Sequence, residues 1–163
     1  MKIKQFILTV GASLGMVSCL DVPADYYTQV NDIFNNVVHA TTEVDAKILA
    51  DDTTGVAGMV DNMKFVKKTL QVIGPFREDS SLINGVIDYV DLYSDNFMDN
   101  KYDRFVELTT ADSLSEEQTI ELELIKSTFT TKAQASLVNA MNAHKDFQVK
   151  YELKFVPDTM KRD

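Results

Sequence analysis

The sequence predicts an all-α chain, an antiparallel up-down-up-down bundle of four helices, on three observations. Four stretches repeat apolar residues at alternating spacings of three and four, the signature of a one-sided helix. Only six Gly and three Pro interrupt 163 residues. The stretches are joined by short turn signals, which favour antiparallel neighbours. Sustained three-four spacing also favours crossing angles near about 20°. No strand-like alternation competes with this reading; Gln148 to Val156 comes nearest and is equally well an extended tail.

Helix A is expected from about Asp25 to Ala50, with Asp25 as its cap. Tyr27, Val30, Phe34, Val37, Thr41, Val44 and Ile48 form its apolar stripe. Asp51-Asp52-Thr53-Thr54-Gly55 reads as a turn. Helix B covers about Val56 to Ile73 on the stripe Val56, Met59, Met63, Val66, Leu70 and Ile73, and Gly74-Pro75 stops it. Helix C begins near Ser80 or Ser81 and runs to about Leu108. Leu82, Val86, Tyr89, Tyr93 and Phe97 share one face, Asp99-Asn100-Lys101 weakens the middle, and Phe105 and Leu108 resume the pattern. Helix D opens on a capping box, Ser115-Glu116-Glu117-Gln118. Leu122, Ile125, Phe129, Ala133, Leu137, Ala140, His144, Phe147 and Tyr151 then follow helical spacing. Residues 25–156 make the bundle on this reading, and 157–163, from Pro157 onward, a frayed tail.

The first residues carry a different message. Met-Lys-Ile-Lys-Gln is a short positive opening, and Phe6 to Val17 is an apolar run of export-signal length. It is too short to cross a hydrocarbon layer of roughly 30 Å as a permanent helix, so a transmembrane anchor is the weaker reading. Met16-Val17-Ser18-Cys19 resembles the lipobox of bacterial lipoproteins: apolar residues, a small residue, then the cysteine that is acylated. Met16 departs from the usual leucine. The reading is thus a signal peptide over 1–18 cleaved after Ser18, lipid attachment at Cys19, and a short tether over 19–24 broken by Pro23. Cys19 is the only cysteine, so an internal disulfide is excluded. Multiple acyl chains supply the anchoring that stable membrane residence requires.

Charge narrows the partners. The chain carries −9, and losing Lys2 and Lys4 with the leader makes the rest −11. Such a surface disfavours nucleic acid. A hydrophobic content of 45% suits one packed domain rather than disorder.

Little in the sequence points to chemistry. Gly-x-Ser-x-Gly, His-Glu-x-x-His, Ser-x-x-Lys, Cys-x-x-Cys and phosphate-cradling glycine loops are all missing. His39 and Glu43 lie one turn apart on helix A, but no Glu-x-x-His completes a bundle metal site. Neither a metal nor a cofactor is expected, and His144 reads as a hydrogen-bonded histidine on the apolar stripe. Asp88, Asp91, Asp95, Asp99 and Asp103 form an acidic ladder whose default reading is a solvated face. The tyrosines at 26, 27, 89, 93, 102 and 151 are the more suggestive group, since tyrosine is enriched at interfaces. Tyr26, Tyr27, Tyr89, Tyr93 and His39 are therefore the candidate ligand or partner contacts. Core packing with a wet hydroxyl is the competing reading for each tyrosine.

With Cys19 after a short leader, the segment Tyr26-Tyr27-Thr28-Gln29-Val30-Asn31-Asp32-Ile33 and the overall helical layout, the chain resembles a spirochaete-type family of small helical bacterial surface lipoproteins of unknown function. The family carries no established catalytic residues, so none transfers to this sequence. The resemblance implies display on the cell envelope, at the surface or the periplasmic face of the outer membrane. The expected function is non-enzymatic: a lipid-anchored bundle that meets a protein or envelope partner. The alternative is a carrier of a small ligand or metal held between the helices.

Overall fold

A computed structural model describes residues 22–154. Among them are five α-helices, one 3₁₀ turn and no strand. The helices are α1 (Pro23–Leu49), α2 (Val56–Ile73), α3 (Ser81–Leu92), α4 (Tyr102–Thr109) and α5 (Glu116–Lys150), with the 3₁₀ turn at Phe97–Asn100. The all-α expectation holds, and helix B is recovered with both of its bounds.

Helix α1 starts two residues earlier than expected. Pro23 does not break a tether; it occupies the first turn, where its missing N–H costs nothing and its φ is already helical. Val22 is the cap residue and gives no side-chain bond, so Asp25 is a first-turn acid rather than the cap. The buried stripe is Tyr26, Val30, Phe34, Val37, Thr41, Val44 and Ile48, with Tyr26 in the place expected of Tyr27. At the other end Asp51 adopts φ 56°. The amide of Asp52 donates to the Lys47 carbonyl at 2.9 Å and that of Asp51 to Ile48 at 3.3 Å, which closes the helix in a Schellman arrangement.

The long helix C is a correction. It breaks after Leu92 and resumes only at Tyr102. The reason lies in Ser94-Asp95-Asn96, whose short polar side chains offer the backbone alternatives to the helical ladder. The amides of Ser94 and Asn96 both donate to the Asp91 carbonyl, at 3.1 and 3.0 Å, and the Asn96 amide group donates to the Asp91 carboxylate at 2.6 Å. The break turns Phe97 and Met98 into the core, where Phe97 meets Phe129 edge-on at 5.3 Å. The acidic ladder is consequently not one helical face. Asp91 and Asp95 both accept from Lys67 on α2.

Helix α5 begins as read. The Gln118 amide donates to the Ser115 hydroxyl at 3.2 Å, and the Ser115 amide donates to the Gln118 side chain at 2.9 Å. Its 35 residues span about 52 Å. The tightest pairing is α3 on α5. There Gly85 crosses so closely that a Cβ on it would lie 2.6 Å from the Ala143 Cβ.

Side-chain ties fix which helix ends meet. At one end the Tyr26 hydroxyl donates to the Gly74 carbonyl at 2.8 Å, and Gln148 donates to the Tyr27 hydroxyl at 2.8 Å. At the other, Lys126 donates to Asp51 at 3.1 Å. These are called the Tyr26 end and the Asp51 end below.

Asp79 is the hub of the Tyr26 end. Its carboxylate accepts from Lys150 at 2.8 Å, the Tyr151 hydroxyl at 3.2 Å, and the Ser81 hydroxyl and amide at 2.6 and 3.0 Å. Burial alone would raise its pKa, but the bonds from Lys150, Ser81 and Tyr151 outweigh burial and hold it well below the usual carboxylate range. A group lowered on folding stabilises the fold above its unfolded pKa of about 3.9 and loses that contribution as pH falls below it. Asp79→Asn is expected to cost about 1 kcal/mol at neutral pH, since the largely enclosed carboxylate loses the charge that its bonds from exposed Lys150 and Ser81 stabilise. Urea midpoints of the variant and the parent should converge as pH falls through the carboxylate range.

Candidate functional site

The five candidate contact residues fall in three separate places. Tyr26 is buried between the start of α1, the α2–α3 connection and the end of α5; its ring lies 5.2 Å from Phe76 and 5.6 Å from Phe147. Burial, helped by Asp79, pushes its phenol up to about 12. Tyr27 is half-buried beside it and also raised by burial, with the Gln148 bond pulling the other way. His39 is exposed on α1, with Glu43 exposed one turn on.

Tyr89 and Tyr93 form a ladder of hydroxyls between α3 and α1. Tyr89 shares a hydrogen bond of 2.7 Å with Thr41, and Tyr93 donates to both oxygens of Asp45, at 2.9 and 3.0 Å. The two rings meet edge-on at 5.4 Å. Burial, with Tyr89 and Asp45 nearby, lifts the Tyr93 phenol far above its ordinary range, and burial also raises the Asp45 carboxyl against the pull of Tyr93. Every hydroxyl in this set has a protein partner, and both rings are in the core. The ladder ties α1 to α3 at these positions. Tyr89 and Tyr93 are thus packed in the core with their hydroxyls bonded within the protein.

His144 is buried, as expected for a stripe residue, at 6% exposure. Its Nδ1 lies 2.9 Å from the Ala140 carbonyl, which only accepts, so Nδ1 carries the proton. Nε2 has no hydrogen-bond partner among the described residues, and the imidazole ring centre lies 4.4 Å from that of Phe34 and 5.8 Å from that of Tyr27. Burial lowers its pKa, only partly opposed by the Ala140 bond. The folded state thus favours neutral imidazole. Stability is complete above the unfolded pKa of about 6.5 and falls as pH drops below it. His144→Met should remove this mildly acid component, read as the change in urea midpoint between neutral and mildly acidic buffer, before the carboxylates titrate.

Two open features were not legible in the sequence. A groove of about 70 Å³ lies between α1 and α2, walled by Ile33, Val37, Ala40, Met59, Met63 and Val66, with Asn36 and Asn62 beside them. It pairs positions spaced three and four apart on both helices, and it is almost wholly apolar. A wider and more polar cleft of about 310 Å³ includes Asp61, Lys64, Ser94, Asp95, Tyr102 and Asp103. Asp61 is bonded to Lys64 at 3.0 Å and Asp95 to Lys67 at 2.8 Å. Among the described residues no group of three His, Cys, Asp or Glu is placed to hold a metal ion.

The exposed apolar side chains are concentrated on two helices: Ile120, Leu124, Val138, Met141 and Val149 on α5, and Phe65 and Val72 on α2. Between Ser127 and Ala143 the exposed face of α5 carries one charge, Lys132. No described helix is long and apolar enough to cross a membrane. Ser18 and Cys19 lie outside the described residues, as do Met1 to Asp21 and 155–163, including the expected tail. No protein-family model matches the chain, and neither a curated protein nor a solved structure is significantly similar to it.

Proposed function

We propose that the chain is a non-enzymatic bacterial lipoprotein, anchored through a lipid on Cys19, that displays a helical bundle to a protein or envelope partner. The observation that carries the reading is Met16-Val17-Ser18-Cys19 behind a positive opening and an apolar run. Support from the other side of the anchor is that helix α1 starts at Pro23, four residues after Cys19 in sequence, so the bundle would stand close to the bilayer. The exposed Val138 and Met141 lie on the stretch of α5 whose one charge is Lys132, and they offer a partner surface there. On this proposal the chain resides in the cell envelope, at the outer membrane, and belongs with the spirochaete-type lipoproteins it resembles. The bundle is taken as up-down-up-down, with α3 and α4 together filling the third position. The ties of Tyr26 to Gly74, Gln148 to Tyr27 and Lys150 to Asp79 support that order.

The test is the intact mass of the protein from bacterial membranes, beside a Cys19→Ala variant. A chain starting at Cys19 with added diacylglyceryl mass, lost in the variant, is the expected result. An unlipidated chain would sink the proposal. The groove between α1 and α2 favours a second reading, a carrier of a small apolar ligand, because its walls are hydrophobic and open to solvent. Under that reading Met63→Trp, which fills the groove, should abolish any thermal shift given by a panel of short apolar ligands.

A further inference from the structure

The charge of the bundle is not spread along it. The Tyr26 end comprises residues 22–36, 65–86 and 139–154, and these hold six basic and six acidic side chains. The Asp51 end comprises 37–64 and 87–138, and these hold six basic and sixteen acidic side chains. The whole negative balance of the described residues therefore lies in one half. The neutral half also collects exposed apolar groups around its tip: Val22 before α1, Val72 at the close of α2 and Val149 at the close of α5, each more than half exposed. Lys68, Lys145 and Lys154 are exposed on the same half.

We infer that the Tyr26 end is a membrane-contacting end, seated on the head groups of a bilayer that contains anionic lipid. The inference rests on the proposed anchor at Cys19, which lies four residues before Pro23 and so tethers this end and not the other. The charge distribution selects the same end by a different route. The acidic half begins about 20 Å from the tip, by the rise of α1. That is more than two screening lengths of about 8 Å, so its repulsion from anionic head groups is largely screened. The reverse pose would turn the half with ten more acidic than basic side chains toward the surface. Valines at the tip can enter the interfacial layer, while lysines meet the phosphates. A tethered neutral end and a repelled acidic end together hold the molecule upright.

The chain has no tryptophan, so single tryptophans report position without background. Val72→Trp and Val149→Trp mark the Tyr26 end; Leu49→Trp and Leu124→Trp, also at exposed sites, mark the other. Each lipidated full-length protein is placed in vesicles of phosphatidylcholine and phosphatidylglycerol with a nitroxide on some head groups. Flotation first establishes that the protein is on the vesicle. The expected result is loss of fluorescence for the two near-end probes and none for the two far-end probes. Adding Lys68→Glu, Lys145→Glu and Lys154→Glu should weaken near-end quenching on anionic vesicles and leave it unchanged on pure phosphatidylcholine. Equal quenching at both ends in a floating protein, or stronger quenching at Leu49→Trp, overturns the inference and leaves the anchor standing. A near-end probe shielded in detergent in a concentration-dependent way assigns that end to a second copy and also overturns it. Failure to float removes the anchoring proposal and this inference together.

Discussion

Replacing Phe147 by alanine is expected to cost about 3–5 kcal/mol, the range for deleting a fully enclosed aromatic ring. Phe147 is completely buried and is the centre of an aromatic cluster at the Tyr26 end. Its ring lies 4.5 Å from Tyr151, 5.6 Å from Tyr26, 5.8 Å from Phe76 and 6.2 Å from Tyr27. Those four residues come from the start of α1, the α2–α3 connection and the turn after α5, so the cavity cannot close by moving one element alone. Tyr26 is also pinned by its bond to Gly74 and Tyr151 by its bond to Asp79, which limits relaxation further. Urea unfolding followed by circular dichroism measures the loss. A change under about 1 kcal/mol would show that the cluster collapses around the gap and that the ring contacts were not rigid.

The second large effect is expected at Gly85. In an exposed helix interior, glycine to alanine is favourable by up to about 1 kcal/mol. Gly58, exposed in the first turn of α2, has nothing within 4 Å of an added Cβ, so Gly58→Ala should stabilise by a fraction of that. Gly85 should do the opposite. The added carbon would lie 2.6 Å from the Ala143 Cβ and 3.7 Å from the Ala140 Cα, and neither atom can swing away. The helices α3 and α5 must part instead, along their tightest contact. Gly85→Ala should therefore destabilise by about 1–3 kcal/mol, and Gly85→Val by more. Ala143→Gly in the Gly85→Ala background should recover much of the loss, because it returns the missing space to the same contact. An additive double variant would contradict the close crossing.

Some of this was legible beforehand. Helix B and the opening of helix D are written in local signals: an unbroken three-four stripe, Gly74-Pro75 at one stop and Ser115 with Gln118 at one start. The break after Leu92 is not of that kind. Tyr89, Tyr93 and Phe97 keep helical spacing straight through it, so periodicity alone runs on. What ends the helix is a contest between Asp91, Ser94 and Asn96 for backbone groups, settled by the room that Phe97 finds against Phe129. Pro23 misled because a proline before a helix and one at its first turn look alike in sequence. Lys126 occupies a stripe position between Leu122 and Phe129, yet its burial depends on Asp51 and Glu123, one of them far away in the chain. The tyrosines were visible as a group but not as a place, because a stripe says that a residue faces inward and not which others it meets. The α1–α2 groove was hidden for the same reason, since it exists only where two faces meet.

The interruption between α3 and α4 also divides the molecule in time. Helix α4 has eight residues, too few to persist alone. It is held by Phe105 and Leu108 in the core and by the paired bonds of Arg104 to Glu121 on α5. Without a continuous backbone ladder to α3, it can open while its neighbours stay closed. Amide exchange should therefore show 97–109 as a separate, less protected cooperative unit, with α3 and the middle of α5 exchanging only through global unfolding.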